Sequence, residues 1–251
     1  MVTLNSEGGR PRYGIYLLPN LLTTLNLFCG FYAAIAALHG EFKNAAVAIV
    51  VAAIFDLLDG KVARWTRSTS RFGVEYDSLA DLVSFGMAPA LLMYLWVLEP
   101  LGRTGWLGAF LFTACGALRL ARFNVQSGQT TDDHFIGLPI PGGAGMIAVI
   151  VLFCHQVRIV DAIHPIVFLV VMDGLALLMV STVKYNSYKH IEPLKQMNFN
   201  LAVTVLLIMV FAAAQPAIAL FVGGLAYVAS GPLIAIRHRR ALVDEKEIAL
   251  E

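Results

Sequence analysis

Asp56-Leu-Leu-Asp59-Gly60-Lys-Val-Ala63-Arg64, then eight residues, then Gly73-Val-Glu-Tyr-Asp77-Ser-Leu-Ala-Asp81 is the stretch that decides how this chain folds. Apolar runs flank it on both sides, Ala45–Phe55 before and Leu82–Leu98 after. Asp56 and Asp59 are three apart and share a helix face; Asp77 and Asp81 are four apart and share another. The short basic link between the two runs forces their helices to lie antiparallel. Two carboxylate pairs then converge at one depth, near the end of both helices.

Four carboxylates a few ångströms apart repel one another, and a low-dielectric setting amplifies the repulsion. Protonation, Lys or Arg partners, or metal ions are the available remedies. Hard oxygen ligands suit Mg2+ or Mn2+, and four carboxylates could hold two ions roughly 3.5–4 Å apart, the arrangement used for displacement at phosphorus. Gly60 and Ala63 follow Asp59, and Gly73 lies one turn before Asp77, so small residues on these faces let a ligand approach the backbone. Arg64 offers its donor fork to a phosphate. A single Asp at a helix end often only marks a membrane interface. Four at these offsets, on segments otherwise apolar, are functional candidates because ionisable groups at membrane depth are costly.

Outward from this stretch, the chain is apolar almost throughout: 58% of 251 residues are hydrophobic and only 14% charged, and the mean hydropathy is +0.73. That composition excludes an ordinary soluble domain and calls for a bilayer as solvent. Eight apolar segments of about helix length run approximately over 14–38, 44–65, 75–98, 105–122, 142–157, 163–183, 199–214 and 216–236. Only Gln215 and Pro216 separate the last two, so one long kinked segment is the alternative there. The runs are continuous, not alternating, which argues against a membrane barrel. With both termini on the cytoplasmic side, 15 of the 18 Lys and Arg residues face inward and only Lys43, Arg103 and Arg158 face outward. The expectation is one all-α, polytopic transmembrane bundle over residues 1–251. Its catalytic core covers about 14–183, with extra helices over about 199–236, and there is no soluble domain. The start lacks the layout of a cleaved signal peptide, so the first apolar run is expected to stay as a membrane helix. Cys29, Cys115 and Cys154 lie in apolar runs without metal-ligand spacing and read as packing residues. A net charge of +1 gives no case for nucleic acid.

The segment 56–81 resembles the signature of the CDP-alcohol phosphatidyltransferases, D-x-x-D-G-x-x-A-R-(x8)-G-x-x-x-D-x-x-x-D. Asp56, Asp59, Gly60, Ala63, Arg64, Gly73, Asp77 and Asp81 match every fixed position. The resemblance implies that an alcohol attacks the lipid-side phosphorus of a CDP-linked lipid such as CDP-diacylglycerol, and CMP leaves. It implies metal ligation by Asp56, Asp59 and Asp77, with Asp81 completing the cluster and serving as general base. Gly60, Ala63 and Gly73 would shape the nucleotide pocket. The family also implies a homodimer in the membrane, and a chain of this length suggests a prokaryotic inner membrane with its active site at the cytoplasmic face.

Further segments resemble the branch of this family whose acceptor is L-serine. These are Leu18-Pro19-Asn20 through Gly30, Leu82 through Ala90 with Ser84, Leu118-Arg119-Leu120-Ala121-Arg122-Phe123-Asn124, and the Gly/Pro block 137–145. Asn20, Thr23 and Asn26 recur every three residues on one helix face, where they can meet the nucleotide or bond neighbouring helices. Arg119, Arg122 and Ser84 are candidates for the acceptor carboxylate or a phosphate; the two arginines also fit as positive-inside anchors. Glycerol 3-phosphate or inositol phosphate as acceptor, and an ion transporter in place of an enzyme, are the alternatives. Asp173, in the middle of an apolar run, has no assigned role.

Overall fold

The computed structural model describes residues 13–66, 70–126, 135–185, 209–211 and 213–248. The side chains described are those of 18–66, 70–126, 137–183, 209–211 and 213–234. Helices α1 (Tyr13–Leu38) and α2 (Phe42–Trp65) form a hairpin whose turn carries Gly40 at φ +77°. They meet through alanine: Ala33, Ala36 and Ala37 of α1, and Ala45, Ala46, Ala48 and Ala52 of α2, are all buried. Lipid tails are as apolar as the side chains, so close backbone approach and dispersion must hold such helices together.

The third helix, α3, is one helical rod from Arg71 to Leu101. It is longer at both ends than the expected 75–98. Ser70 caps its start by accepting the Gly73 N–H at 2.9 Å, and Gly102, at φ +55°, ends it. Pro89 lies inside the rod. Proline has no N–H, and its ring collides with the carbonyl four residues back in a regular helix. The rod accommodates it through a π-helical turn over Leu82–Met87, in which the N–H at Ala88 bonds Val83 O, five residues back. A second wide turn covers Tyr94–Leu98.

Helices α4 (Arg103–Gln126), α5 (Ile140–Val157), α6 (Pro165–Val180) and α7 (Pro216–Ile248) complete the described architecture. The core lies where α3, α4, α5 and α6 converge, around Phe85, Leu92, Phe112, Ile147 and Met172. Among the described residues the fold is all-helical apart from a two-residue antiparallel ladder, in which Phe135 pairs with Tyr185 and Ile136 with Lys184. That ladder ties the start of the Gly/Pro block to the end of α6. Gly137, at φ +82°, donates its N–H to Val183 O at 2.8 Å.

Among the described residues, five helices are long and apolar enough to cross a membrane: α1 over Leu18–Leu38, α3, α4, α5, and α7 over Pro216–Ile234. Large apolar side chains on their outer faces are open to the surroundings, among them Phe28 (64%), Phe110 (63%) and Leu118 (62%), as a bilayer solvent requires. α2 has the length, but Lys43, Asp56, Asp59, Lys61 and Arg64 load it with charge. α6 is wholly apolar apart from Asp173 but has only 16 residues, about 24 Å of rise. The expected span over 199–214 lies mostly outside the described residues. Its end at 213–214 is helical, Gln215 interrupts the helix, and Pro216 starts the next.

Candidate metal centre and active site

Late in α2, Asp56 and Asp59 face the second turn of α3, which carries Asp77. One carboxylate oxygen of each lies within 4.8 Å of the others. Asp59 is buried, and Asp56 and Asp77 are half-buried. Thr23 of α1 closes the third side, donating its hydroxyl to Asp59 Oδ2 at 3.0 Å. The same hydroxyl lies 3.1 Å from Pro19 O, so one proton is shared between two acceptors. Asp77 Oδ1 is buried with no hydrogen-bond donor among the described residues. Converging carboxylate oxygens, one of them buried and lacking a donor, fit a hard divalent cation.

Asp81 sits one turn beyond Asp77 and is buried, near enough for its charge to interact with those of Asp56, Asp77 and Asp59. It accepts a hydrogen bond from Asn26 Nδ2 at 3.0 Å. Ser84, in the wide turn of α3, donates to the backbone carbonyl of the same Asn26 at 3.0 Å. Arg119 of α4 is buried close enough for its charge to interact with Asp81, and its Nε has no hydrogen-bond partner among the described residues. Among the described residues the buried polar ones are thus Thr23, Asn26, Asp59, Asp81, Ser84 and Arg119, all of them candidates from the sequence.

The other candidates fall around this centre. A β-carbon on Gly60 would meet nothing within 4 Å, so the face beside Asp59 opens onto free space. Ala63 is half-buried, and Arg64 is exposed with its Nε donating back to Gly60 O at 2.9 Å. Asn20 Oδ1 lies 3.5 Å from where a Gly73 β-carbon would stand. The Arg122 guanidinium donates to Val180 O and Ser181 O, both at 3.2 Å, at the end of α6. Those carbonyls have no partner inside the helix. Asp173 Oδ1 is buried against Gly108 of α4.

Two contacts were not anticipated. Thr24 Oγ1 pairs with Tyr76 Oη at 3.0 Å, and Asn124 Nδ2 donates to Ser78 Oγ at 3.0 Å. Both tie the acid-bearing part of α3 to a neighbour, α1 or α4. The only sequence signal was position: Tyr76 and Ser78 flank Asp77.

A family model described as CDP-alcohol phosphatidyltransferase matches residues 16–175. The chain is also similar to curated proteins named CDP-diacylglycerol--serine O-phosphatidyltransferase. That of Helicobacter pylori (strain ATCC 700392 / 26695) is 36% identical over 209 residues, covering 83% of this chain and 87% of the relative. That of Bacillus subtilis (strain 168) is 37% identical over 172 residues, covering 68% and 91%. That of Methanocaldococcus jannaschii is 38% identical over 176 residues, covering 69% and 76%.

Proposed function

The chain belongs to the CDP-alcohol phosphatidyltransferase family, and we propose that it transfers the phosphatidyl group of CDP-diacylglycerol to L-serine, giving phosphatidylserine and CMP. The names of its relatives support serine as acceptor. The observation that carries the chemistry is the convergence of carboxylate oxygens from Asp56, Asp59 and Asp77 within 4.8 Å of one another, with Asp81 one turn further along α3.

Asp56, Asp59 and Asp77 would hold Mg2+ or Mn2+. Four carboxylates suit two ions, with Asp81 as an additional ligand. When bound, the metal neutralises charge on the diphosphate and makes CMP a better leaving group. A carboxylate tied closely to metal loses basicity, so the acid outside the triad is the better proton acceptor. Asp81 accepts the serine hydroxyl proton as that oxygen bonds to the lipid-side phosphorus and the bond from phosphorus to the CMP oxygen breaks. Gly60 leaves the backbone beside Asp59 open, and Gly60, Ala63, Gly73, Asn20 and Thr23 are assigned to the nucleotide. Arg64 faces a phosphate, and Arg119, Arg122 and Ser84 are assigned to the acceptor or its phosphate neighbour.

Eight crossings with both termini cytoplasmic, an inner-membrane location and a site at the cytoplasmic face are the arrangement that the Lys and Arg distribution supports. A homodimer is part of the same reading. The test is CMP release by the purified protein from CDP-diacylglycerol with serine, glycerol 3-phosphate or inositol phosphate, each under Mg2+, Mn2+ and chelator. Metal-dependent release with serine is expected. Release with glycerol 3-phosphate but not serine overturns the acceptor, and no release with any alcohol overturns the reaction.

A further inference from the structure

Asn26 stands apart from the other polar residues of α1. It is fully buried, whereas Asn20 is half-buried. Its Nδ2 donates to Asp81 Oδ1, and an ionised carboxylate only accepts, so the amide cannot be turned over without setting two acceptors face to face. The backbone at Asn26 is fixed as well, because its carbonyl receives the Ser84 hydroxyl. Gly30, one turn further along α1, lies against Ser84 itself, and a β-carbon on Gly30 would stand only 2.5 Å from Ser84 Cα. α1 and the wide turn of α3 are therefore locked at the point where Asn26 reaches Asp81. Asn26 Oδ1 is buried with no partner among the described residues. Buried amides kept only for packing are normally satisfied at both ends.

We propose that Asn26 is a positioning residue for Asp81: the amide, held by the Ser84 bond to its own backbone, aims the Asp81 carboxylate at the acceptor hydroxyl. This rests on the assignment of Asp81 as the proton acceptor. It takes up one of the two roles the spacing left open for Asn26, the bond to a neighbouring helix. In this assignment Asn26 acts through Asp81, so its removal is expected to lower turnover and leave substrate binding alone.

The experiment uses the full-length protein in micelles with CDP-diacylglycerol and serine at saturating metal. Asn26→Leu keeps the volume and removes the donor. Its kcat is expected to fall about 10-fold to 100-fold, the cost of misplacing a reacting group by roughly an ångström. KM for CDP-diacylglycerol and inhibition by CMP should stay within about 2-fold, the signature of an interaction that acts in the transition state alone. In an Asp81→Asn background the same substitution should change the residual rate by less than about 2-fold, because residues acting as a unit are non-additive. An independent, additive loss in that background, a wild-type kcat, or a raised KM for CDP-diacylglycerol with kcat intact each overturns the proposal. Should Asn26→Leu fail to fold, Ser84→Ala takes its place: reduced kcat with KM for both CDP-diacylglycerol and serine held within about 2-fold supports the positioning role, and an unchanged kcat or a raised KM for serine sinks it. Wild-type protein that releases no CMP would instead overturn the reaction assignment, a result these variants cannot mimic.

Discussion

Gly30 of α1 and Ser84 of α3 meet backbone to backbone, so closely that a β-carbon on Gly30 would fall 2.5 Å from Ser84 Cα. Neither backbone can yield without dragging a helix that carries the site. Gly30→Ala is therefore expected to destabilise the protein by about 1–3 kcal/mol, the usual cost of overpacking, and to lower turnover. Gly223→Ala, where a β-carbon meets nothing within 4 Å, should leave both alone. Thermal unfolding in detergent and CMP release on the same samples check the pair.

The four acids should separate into two groups. Asp56→Asn, Asp59→Asn and Asp77→Asn each remove a triad oxygen and should weaken Mn2+ binding together with activity. Asp81→Asn, which removes only an additional ligand, should weaken Mn2+ binding less than the triad variants do while losing about 10²-fold to 10⁴-fold in rate, the range for a general base. Mn2+ titration followed by electron paramagnetic resonance, with turnover measured alongside, distinguishes them. Equal loss of Mn2+ affinity in all four variants would count against a separate role for Asp81.

Thr23 supports Asp59 from behind the triad, through the 3.0 Å bond to Oδ2. Outer partners of metal ligands typically matter by about 10-fold to 100-fold in affinity or activity. Thr23→Val should raise the metal concentration for half-maximal rate by about 10-fold, and Thr23→Ser should restore it. A metal titration of CMP release reads both, and an unchanged half-maximal concentration for Thr23→Val would remove Thr23 from the metal's surroundings.

Gly137 occupies a left-handed conformation at φ +82°, and a side chain there would press on Met179 O and Ser181 O. Left-handed backbone costs a non-glycine residue about 1–2 kcal/mol, before any clash. Gly137→Val should lower the unfolding temperature clearly and loosen the junction between the Gly/Pro block and α6. Faster proteolysis near that junction is the accompanying readout.

Much of this molecule is written in local pattern. Apolar run length placed α1, α3, α4, α5 and the membrane part of α7, and the i, i+3 and i, i+4 spacing of the acids put Asp56, Asp59 and Asp77 around one point. Hydropathy says nothing of hydrogen-bond register, so the wide turns of α3 and its continuity from Arg71 to Leu101 were not legible. Contacts between distant positions were hidden as well. Asn26 and Asp81 are 55 residues apart, and no spacing rule links an amide on one helix to a carboxylate on another. Arg122 illustrates the same limit: its basic side chain suggested an anion or a positive-inside anchor, and no spacing rule tied it to the carbonyls that close α6.

The wide turn at Leu82–Met87 has an angular consequence. Each helical residue rotates the chain by about 100°, so one surplus residue re-phases everything that follows by about a quarter of a revolution. Before the turn, Asp81 points to α1; within it, Ser84 still reaches α1 while the Gly86 carbonyl already receives Thr113 of α4. One rod thereby serves two partners lying in different directions. Trimming a single residue from this turn would keep the composition of the helix intact yet leave its reactive half and its anchoring half facing incompatible neighbours.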